Sequence, residues 1–413
     1  MSPSAPPTAT ASTPRDRAAP RAGGAGALLV VGFVLMSLNT RVAFGQIGSL
    51  APVAGFSPAL VSLLGLLPPL CMGAFAPLAA LARRSGEERG LWWAGAVLVV
   101  GAVVRMLGLP GLIAGTVVVS AATAVVNVLI PVLVRKRFPR RRVGTMMGVY
   151  ALSMGVGSAL VAALVVPVAQ ATGSWRPAVG LAVVPAVLAA AGMTPQLRHR
   201  PPRSTPAARA RLPLATAAGP ERAGLAQVAR TAVAWSLTAF FGIQTLAFYT
   251  TLAWLPSILV QAGLGGSAAG SGQALLICGV AVGGFVAPVL AARRADQRPH
   301  ILGTVLVCVA GLTGLLLAPS ATSLVWVAVL GVGLGAGQAL PGVLYAHRGS
   351  DHDHVAALST MAQTCGFLLA ATGPVLAAAL HAATGTWTAP LTALVAALLV
   401  CAVAGMRAGH DPG

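Results

Sequence analysis

The chain has 413 residues, 56% of them hydrophobic and only 8% charged, with a mean hydropathy of +0.83. A water-soluble globular chain of this length could not expose so little polar surface, so the sequence reads as an all-α polytopic membrane protein. The formal charge of +19 would point to nucleic acid in a soluble protein. Here the basic residues fall between apolar runs, where they set topology and meet anionic headgroups, and nucleic-acid binding is discarded.

Residues 1–24 are rich in Pro, Ala, Ser and Thr and carry Arg15, Arg17 and Arg21, with no compact apolar core followed by a small-residue cleavage site. This composition predicts a disordered cytoplasmic tail rather than a signal peptide. Twelve apolar segments follow, at approximately 25–50, 58–81, 90–109, 111–134, 143–168, 175–193, 229–260, 268–292, 300–318, 321–346, 355–382 and 387–406. In the first, Met36-Ser37-Leu38-Asn39-Thr40-Arg41 puts a charge near the middle of a run long enough to cross about 30 Å of hydrocarbon. Burying an arginine there costs about 2.5–3.5 kcal/mol on insertion scales, and such a residue usually faces a bundle interior or a wet cavity. Arg41 is therefore the first candidate for solute contact. The competing reading pairs it with backbone carbonyls for packing.

The basic residues outside the spans lie in the tail and in alternate loops, which by the positive-inside rule puts both termini in the cytoplasm. Of the 27 Lys and Arg, only Arg41, Arg105 and Arg176 depart from this, and Arg105 and Arg176 are expected to snorkel to the outer face. All eight acids fall in the same loops and tails, so Arg41 has no carboxylate partner within the spans. Residues 194–228, rich in Arg, Pro and Ala, read as a cytoplasmic linker between a six-helix half at 25–193 and another at 229–407, with a short tail at 408–413. The halves repeat: Arg83-Arg84 recurs as Arg293-Arg294, Pro131 as Pro341, and Ala171-Thr172-Gly173-Ser174-Trp175 as Ala383-Thr384-Gly385-Thr386-Trp387. A six-plus-six duplication implies a solute site near the midplane between the halves.

Glycine pairs four apart (Gly144/Gly148, Gly279/Gly283, Gly331/Gly335, Gly333/Gly337) predict close helix contacts, not nucleotide binding. Pro131, Pro256 and Pro341 mark bends or static kinks within spans. The polar residues inside spans are few: Asn39, Asn127, Gln244, Tyr249, Gln338 and Gln363, beside Arg41. Each needs a partner or a wet cavity, and an interhelical hydrogen bond is the plain alternative to solute contact. Asn127 and Gln338 each stand just before a proline, in repeated spans. Asp351-His352-Asp353-His354 precedes a helix start, where Asp serves as a cap, and no clustered ligands stand near it in sequence to make a metal site. The five cysteines lie in apolar runs and read as packing residues.

These residues carry a resemblance to the cyanate/2-nitroimidazole permease family of the major facilitator superfamily. It rests on Leu38-Asn39-Thr40-Arg41, Asn127-Val128-Leu129-Ile130-Pro131 running into Val134-Arg135-Lys136-Arg137-Phe138-Pro139, and Gly148-Val149-Tyr150. It rests further on Phe241-Gly242-Ile243-Gln244 with Tyr249 and Trp254-Leu255-Pro256, on Met361-Ala362-Gln363, and on Gly373-Pro374. The resemblance implies a twelve-helix facilitator fold in two halves, alternating access, and a cavity lined by the first, fourth, seventh and tenth spans. One departure stands out. Where the superfamily loop after the second span usually has an Asp, this chain has Arg83, with Glu87 and Glu88 following Gly86.

The expectation is a secondary transporter in the plasma membrane for a small anionic or polar solute, a cyanate-like anion or a compact heterocycle. Arg41, Asn39, Asn127, Gln244, Tyr249, Gln338 and Gln363 are its expected contacts. Arg83, Arg84, Glu87, Arg293, Arg294, Pro131 and Pro341 are its gating and loop residues. Efflux of nitroheterocycle or drug-like compounds is the alternative within transport, and a non-transporting membrane sensor the alternative outside it. No enzyme constellation is found in the spans, no cofactor is expected, and a monomer in the lipid bilayer is the expected state.

Overall fold

The computed structural model describes residues 25–40, 42–43, 46–47, 50, 54–198, 220–294, 296–317 and 322–409. Arg41, the tail at 1–24, most of the linker and the last four residues lie outside the described residues. Among the described residues every regular element is helical. In chain order they are α1 (Ala25–Asn39), α2 (Pro58–Phe75), α3 (Leu78–Arg83), α4 (Glu87–Val104), α5 (Gly108–Arg137), α6 (Val143–Thr172), α7 (Trp175–Gly180) and α8 (Val183–Met193). Then come α9 (Pro220–Val228), α10 (Ala232–Gln261), α11 (Gly266–Ala291), α12 (Arg298–Leu317), α13 (Ser323–Arg348), α14 (His352–Thr384) and α15 (Thr388–Gly409).

Nine stretches among the described residues are long and apolar enough to cross a membrane unaided. The remaining three expected spans are α1, the α2–α3 pair and α4. The second span is jointed at Ala76–Pro77 and the sixth at Leu181–Ala182. Elsewhere the starts are well signalled: Ser57 accepts from the Leu60 N–H with Pro58 as first helical residue, Thr231 accepts from Ala234, and Asp351 accepts from His354 at 2.8 Å. The cap reading of the Asp-His run is thus what the structure has. Pro131 and Pro341 lie buried inside α5 and α13, which continue through them.

The helices pack as two groups. In the first, α1 lies against α6 and α8, and α4 and α2 lie against α5; in the second, α10 lies against α14 and α15, and α13 against α11 and α12. Predicted glycine pairs meet one another here. Gly279 and Gly331 face each other across α11 and α13, and a Cβ on Gly283 or Gly335 would overlap the carbonyl of Val332 or Val280.

Between the groups, α6 touches α11, α14 touches α2 and α5, and α13 touches α5 and α6. The glycine contacts across this boundary run from the charged loops to about the middle of the helices. Gly144 meets Pro288 and Ala292, Gly148 meets Phe285, Gly155 meets Ala281, and Gly73 meets Thr364 and Leu368. The two groups are therefore pressed together at the charged end.

Arg105 departs from expectation. It does not snorkel: it is 0% exposed, because α4 stops at Val104 and the side chain turns inward. There Nη1 donates to Gln46 Oε1 and Nη2 to the Ala43 carbonyl, both at 2.8 Å, while Gly115 leaves room for its stem. Gln46 in turn donates to the carbonyls of Ala178 (3.2 Å) and Val179 (3.1 Å), at the end of α7. Arg176 stays exposed, as expected, over the Trp175 ring.

Candidate solute site and loop latch

Along α5 the polar residues Thr116, Ser120, Thr123 and Asn127 recur at four, three and four, which places them on one helical face. Thr116 and Ser120 donate to carbonyls one turn back. Thr123 Oγ1 is buried without a partner, and Asn127 Oδ1 accepts from the Tyr150 hydroxyl of α6 at 2.5 Å. The Tyr150 ring stands 6.5 Å from Phe33 of α1, which is itself 6.3 Å from Phe138. This aromatic contact fixes α1, α5 and α6 around the Asn127 amide.

On the second group, Gln338 Nε2 donates to Thr245 Oγ1 of α10 at 3.2 Å. Asn127 and Gln338 are both half-buried, and their helices α5 and α13 touch across the boundary between the groups. Gln363 is nearly buried, donates to Ser359 at 2.8 Å and has Oε1 without a partner. Asn39 closes α1 with Nδ2 unpartnered, and the Tyr345 hydroxyl, one turn beyond Pro341, is also unpartnered. Orphaned buried polar atoms of this kind cost about 1–3 kcal/mol each unless water or a ligand satisfies them. Tyr249 is buried edge-on against Phe248, ring centroids 5.3 Å apart.

Gln244 shares with these a buried Nε2 without a partner, but it faces another way. It is 0% exposed, takes a weak hydrogen bond from the Cys308 thiol of α12 at 3.7 Å, and fills the space left by Gly337 of α13. Its amide therefore points into the interior of the second group, about 100° around α10 from Thr245. Residues that composition alone did not single out are Tyr150, Thr123, Tyr345 and Gln46. The threonine and serine stripe on α5 was readable from its spacing.

At the charged end, Arg83 donates to Asp353 of α14 at 2.5 Å, joining the two groups, and lies 3.5 Å from Glu87. Lys136 pairs with Glu87 at 2.6 Å and Glu88 at 3.4 Å, and Arg137 with Glu88 at 2.6 Å. Burial alone would raise the Glu87 carboxyl, but the hydrogen bond and charge of Lys136, with Arg83, hold it below its usual value. Glu88 is held low likewise, against burial, by backbone hydrogen bonds, Lys136 and Arg137. Glu87 and Glu88 thus tie the start of α4 to the end of α5, while the bridge between the groups comes from Asp353. Arg84, Arg293 and Arg294 are exposed, and among the described residues neither Arg293 nor Arg294 is in an ion pair.

The family model of the Major Facilitator Superfamily matches residues 28–374. The chain is 34% identical over 390 residues to a protein of Escherichia coli (strain K12) named 2-nitroimidazole transporter, covering 93% of this chain and 96% of the relative. It is 25% identical over 361 residues to the cyanate transport protein CynX of the same organism, covering 86% and 90%. Its fold matches the crystal structure of FucP in the outward conformation with a TM-score of 0.70 at 12% identity, covering 93% of this chain and 98% of that one.

Proposed function

The chain belongs to the major facilitator superfamily, and we propose that, within its role as a secondary transporter of small solutes, its solute is a compact, planar, polar molecule, either a cyanate-like anion or a nitrogen heterocycle. The observation that carries this reading is the pair of half-buried amides, Asn127 and Gln338, on the touching helices α5 and α13. Each already has a hydroxyl neighbour that orients it, Tyr150 in one case and Thr245 in the other. Amides and hydroxyls offer both donors and acceptors in fixed directions, which suits a flat solute with ring nitrogens or nitro oxygens. The names of the two curated relatives fall in the same solute range. Arg41 supplies the positive charge for an anionic solute, and Asn39, Gln363 and Tyr249 complete the contacts.

Alternating access in this reading has residues 25–193 and 229–407 as its two moving halves, with both termini in the cytoplasm and the protein a monomer. The contacts at the charged end then make the described state closed to the cytoplasm. Solute exchange through such a site is tested by counterflow in proteoliposomes loaded with cyanate or 2-nitroimidazole, with Asn127→Ala, Arg41→Ala and Gln244→Ala alongside. Saturable exchange weakened by Asn127→Ala supports the site, and its loss in Arg41→Ala assigns the anion. Exchange that Asn127→Ala and Arg41→Ala both leave unchanged would overturn the assignment.

A further inference from the structure

At the charged end, α10 begins and α15 ends side by side, and the small residues Ala232, Ala239 and Ala404 leave a groove of about 470 Å³ between them. Its walls are Trp235, Val400 and Val403, which are 53%, 62% and 57% exposed. Facing outward from a bundle that sits in a bilayer, these side chains meet acyl chains. Two features set the groove apart from the rest of the apolar surface. Trp235 donates its indole N–H to the Ala229 carbonyl at 2.8 Å, an amphipathic ring anchored where hydrocarbon gives way to headgroups. Positive charge also gathers at the mouth.

That charge has three sources. Arg230 is exposed two residues before Ala232. Arg298 donates Nε to the Met406 carbonyl at 3.3 Å, which brings its guanidinium to the last turns of α15, two residues from Ala404. The N-terminus of α10 adds the positive end of a 30-residue helix. Among the residues whose side chains are described, the nearby acid is Asp296, which accepts the Arg298 backbone N–H at 3.0 Å and reduces this field without cancelling two guanidinium groups and a helix end.

We propose that this groove is a binding site for one phospholipid with an anionic headgroup, an acyl chain lying along Trp235, Ala239 and Val403 and the phosphate held between Arg230 and Arg298. Basic residues near an anionic headgroup contribute enough that losing both should weaken binding about thirtyfold, roughly fivefold for each. None of the residues lining the groove is among those assigned to solute, so the proposal stands whether or not Asn127 and Gln338 bind it.

The test is native mass spectrometry of the full-length protein in detergent, counting retained dioleoyl phosphatidylglycerol against dioleoyl phosphatidylcholine. The unsubstituted protein is expected to retain the anionic lipid preferentially. Arg230→Gln with Arg298→Gln should lose about thirtyfold of that retention, whereas Arg141→Gln with Arg142→Gln, removing equal charge from the same end, should not. Ala239→Phe, which fills the groove and leaves the charge in place, should also lose it. Equal retention of the two lipids, equal loss in both arginine pairs, or full retention in Ala239→Phe would each overturn the proposal.

Discussion

Gly144 on α6 lies where the two groups of helices press together, so adding one methyl group there acts on the closed charged end and on little else. An added Cβ would overlap the Pro288 carbonyl of α11 and the side chain of Ala292 that caps it, and one turn further on a Cβ at Gly148 would come within 2.8 Å of the Phe285 carbonyl. A backbone carbonyl inside a helix cannot rotate aside, so Gly144→Ala must push α6 and α11 apart. Overpacking of this kind costs about 1–3 kcal/mol. The cost falls only on the form in which the seam is shut, and it should lower the closed-to-open ratio by about 5- to 150-fold. With the native cysteines replaced, spin labels at Arg84→Cys and Arg293→Cys, both exposed at the charged end on opposite groups, read the separation directly. Gly144→Ala should bring up a longer distance. Gly283→Ala, whose Cβ would overlap Val332 within one group, should lower the melting temperature and leave the distances alone. A well-folded Gly144→Ala protein with an unchanged closed distance would refute the reasoning.

Removal of the Arg83–Asp353 bridge by Asp353→Asn should have a smaller effect, because Asp353 is 88% exposed at its side chain and exposed pairs contribute only about 0–1 kcal/mol; the same labels should show at most a fewfold shift, vanishing in high salt. Glu87 and Glu88 have lowered folded values, so their contribution is complete above the unfolded value of 4.5 and is lost as pH falls through the folded values below it. A melting-temperature series from pH 6 to pH 3 should fall at the acid end, and Glu87→Gln should flatten part of that fall. Tyr150→Phe, which removes the donor to Asn127, should raise the KM for exchange severalfold, by about the 0.5–1.5 kcal/mol of a hydrogen bond. Gln244→Ala should instead reduce thermal stability with little change in KM, since its amide lies inside the second group.

The helices and their small-residue seams were legible because hydropathy and glycine spacing are properties of one helix face at a time. The spacing implied close helix contacts, and Gly279 and Gly331 meet in one of them. Depth and direction were not legible in the same way. Counting along the fourth helix put Arg105 near a membrane face, yet its position depends on the first span bringing the Ala43 carbonyl and Gln46 to it. Gln244 registered as a polar residue in a span, but which way it points was decided by Gly337 on another helix. The partner of Arg83 lies 270 residues along the chain, and no local pattern could have chosen Asp353 over the neighbouring acids. The Asn127–Tyr150 contact lies between these cases: both residues belong to the motifs that carry the family resemblance, but the bond between them belongs to the packing of α5 on α6.

The buried Arg105 bears on how the chain is made. A ribosome delivers residues in order, and a guanidinium handed to the bilayer alone costs about 2.5–3.5 kcal/mol on insertion scales. Both of its acceptors, Ala43 and Gln46, come about sixty residues earlier, so they have already left the ribosome when Arg105 does. Its two Nη groups can find these acceptors during synthesis, as the third span pairs with the first, while Nε has no partner among the described residues. The carbonyls that Gln46 uses in turn, Ala178 and Val179, arrive more than seventy residues after Arg105. In chain order, then, the acceptors of Arg105 precede it in the first span, and the remaining partners of Gln46 follow it in the sixth.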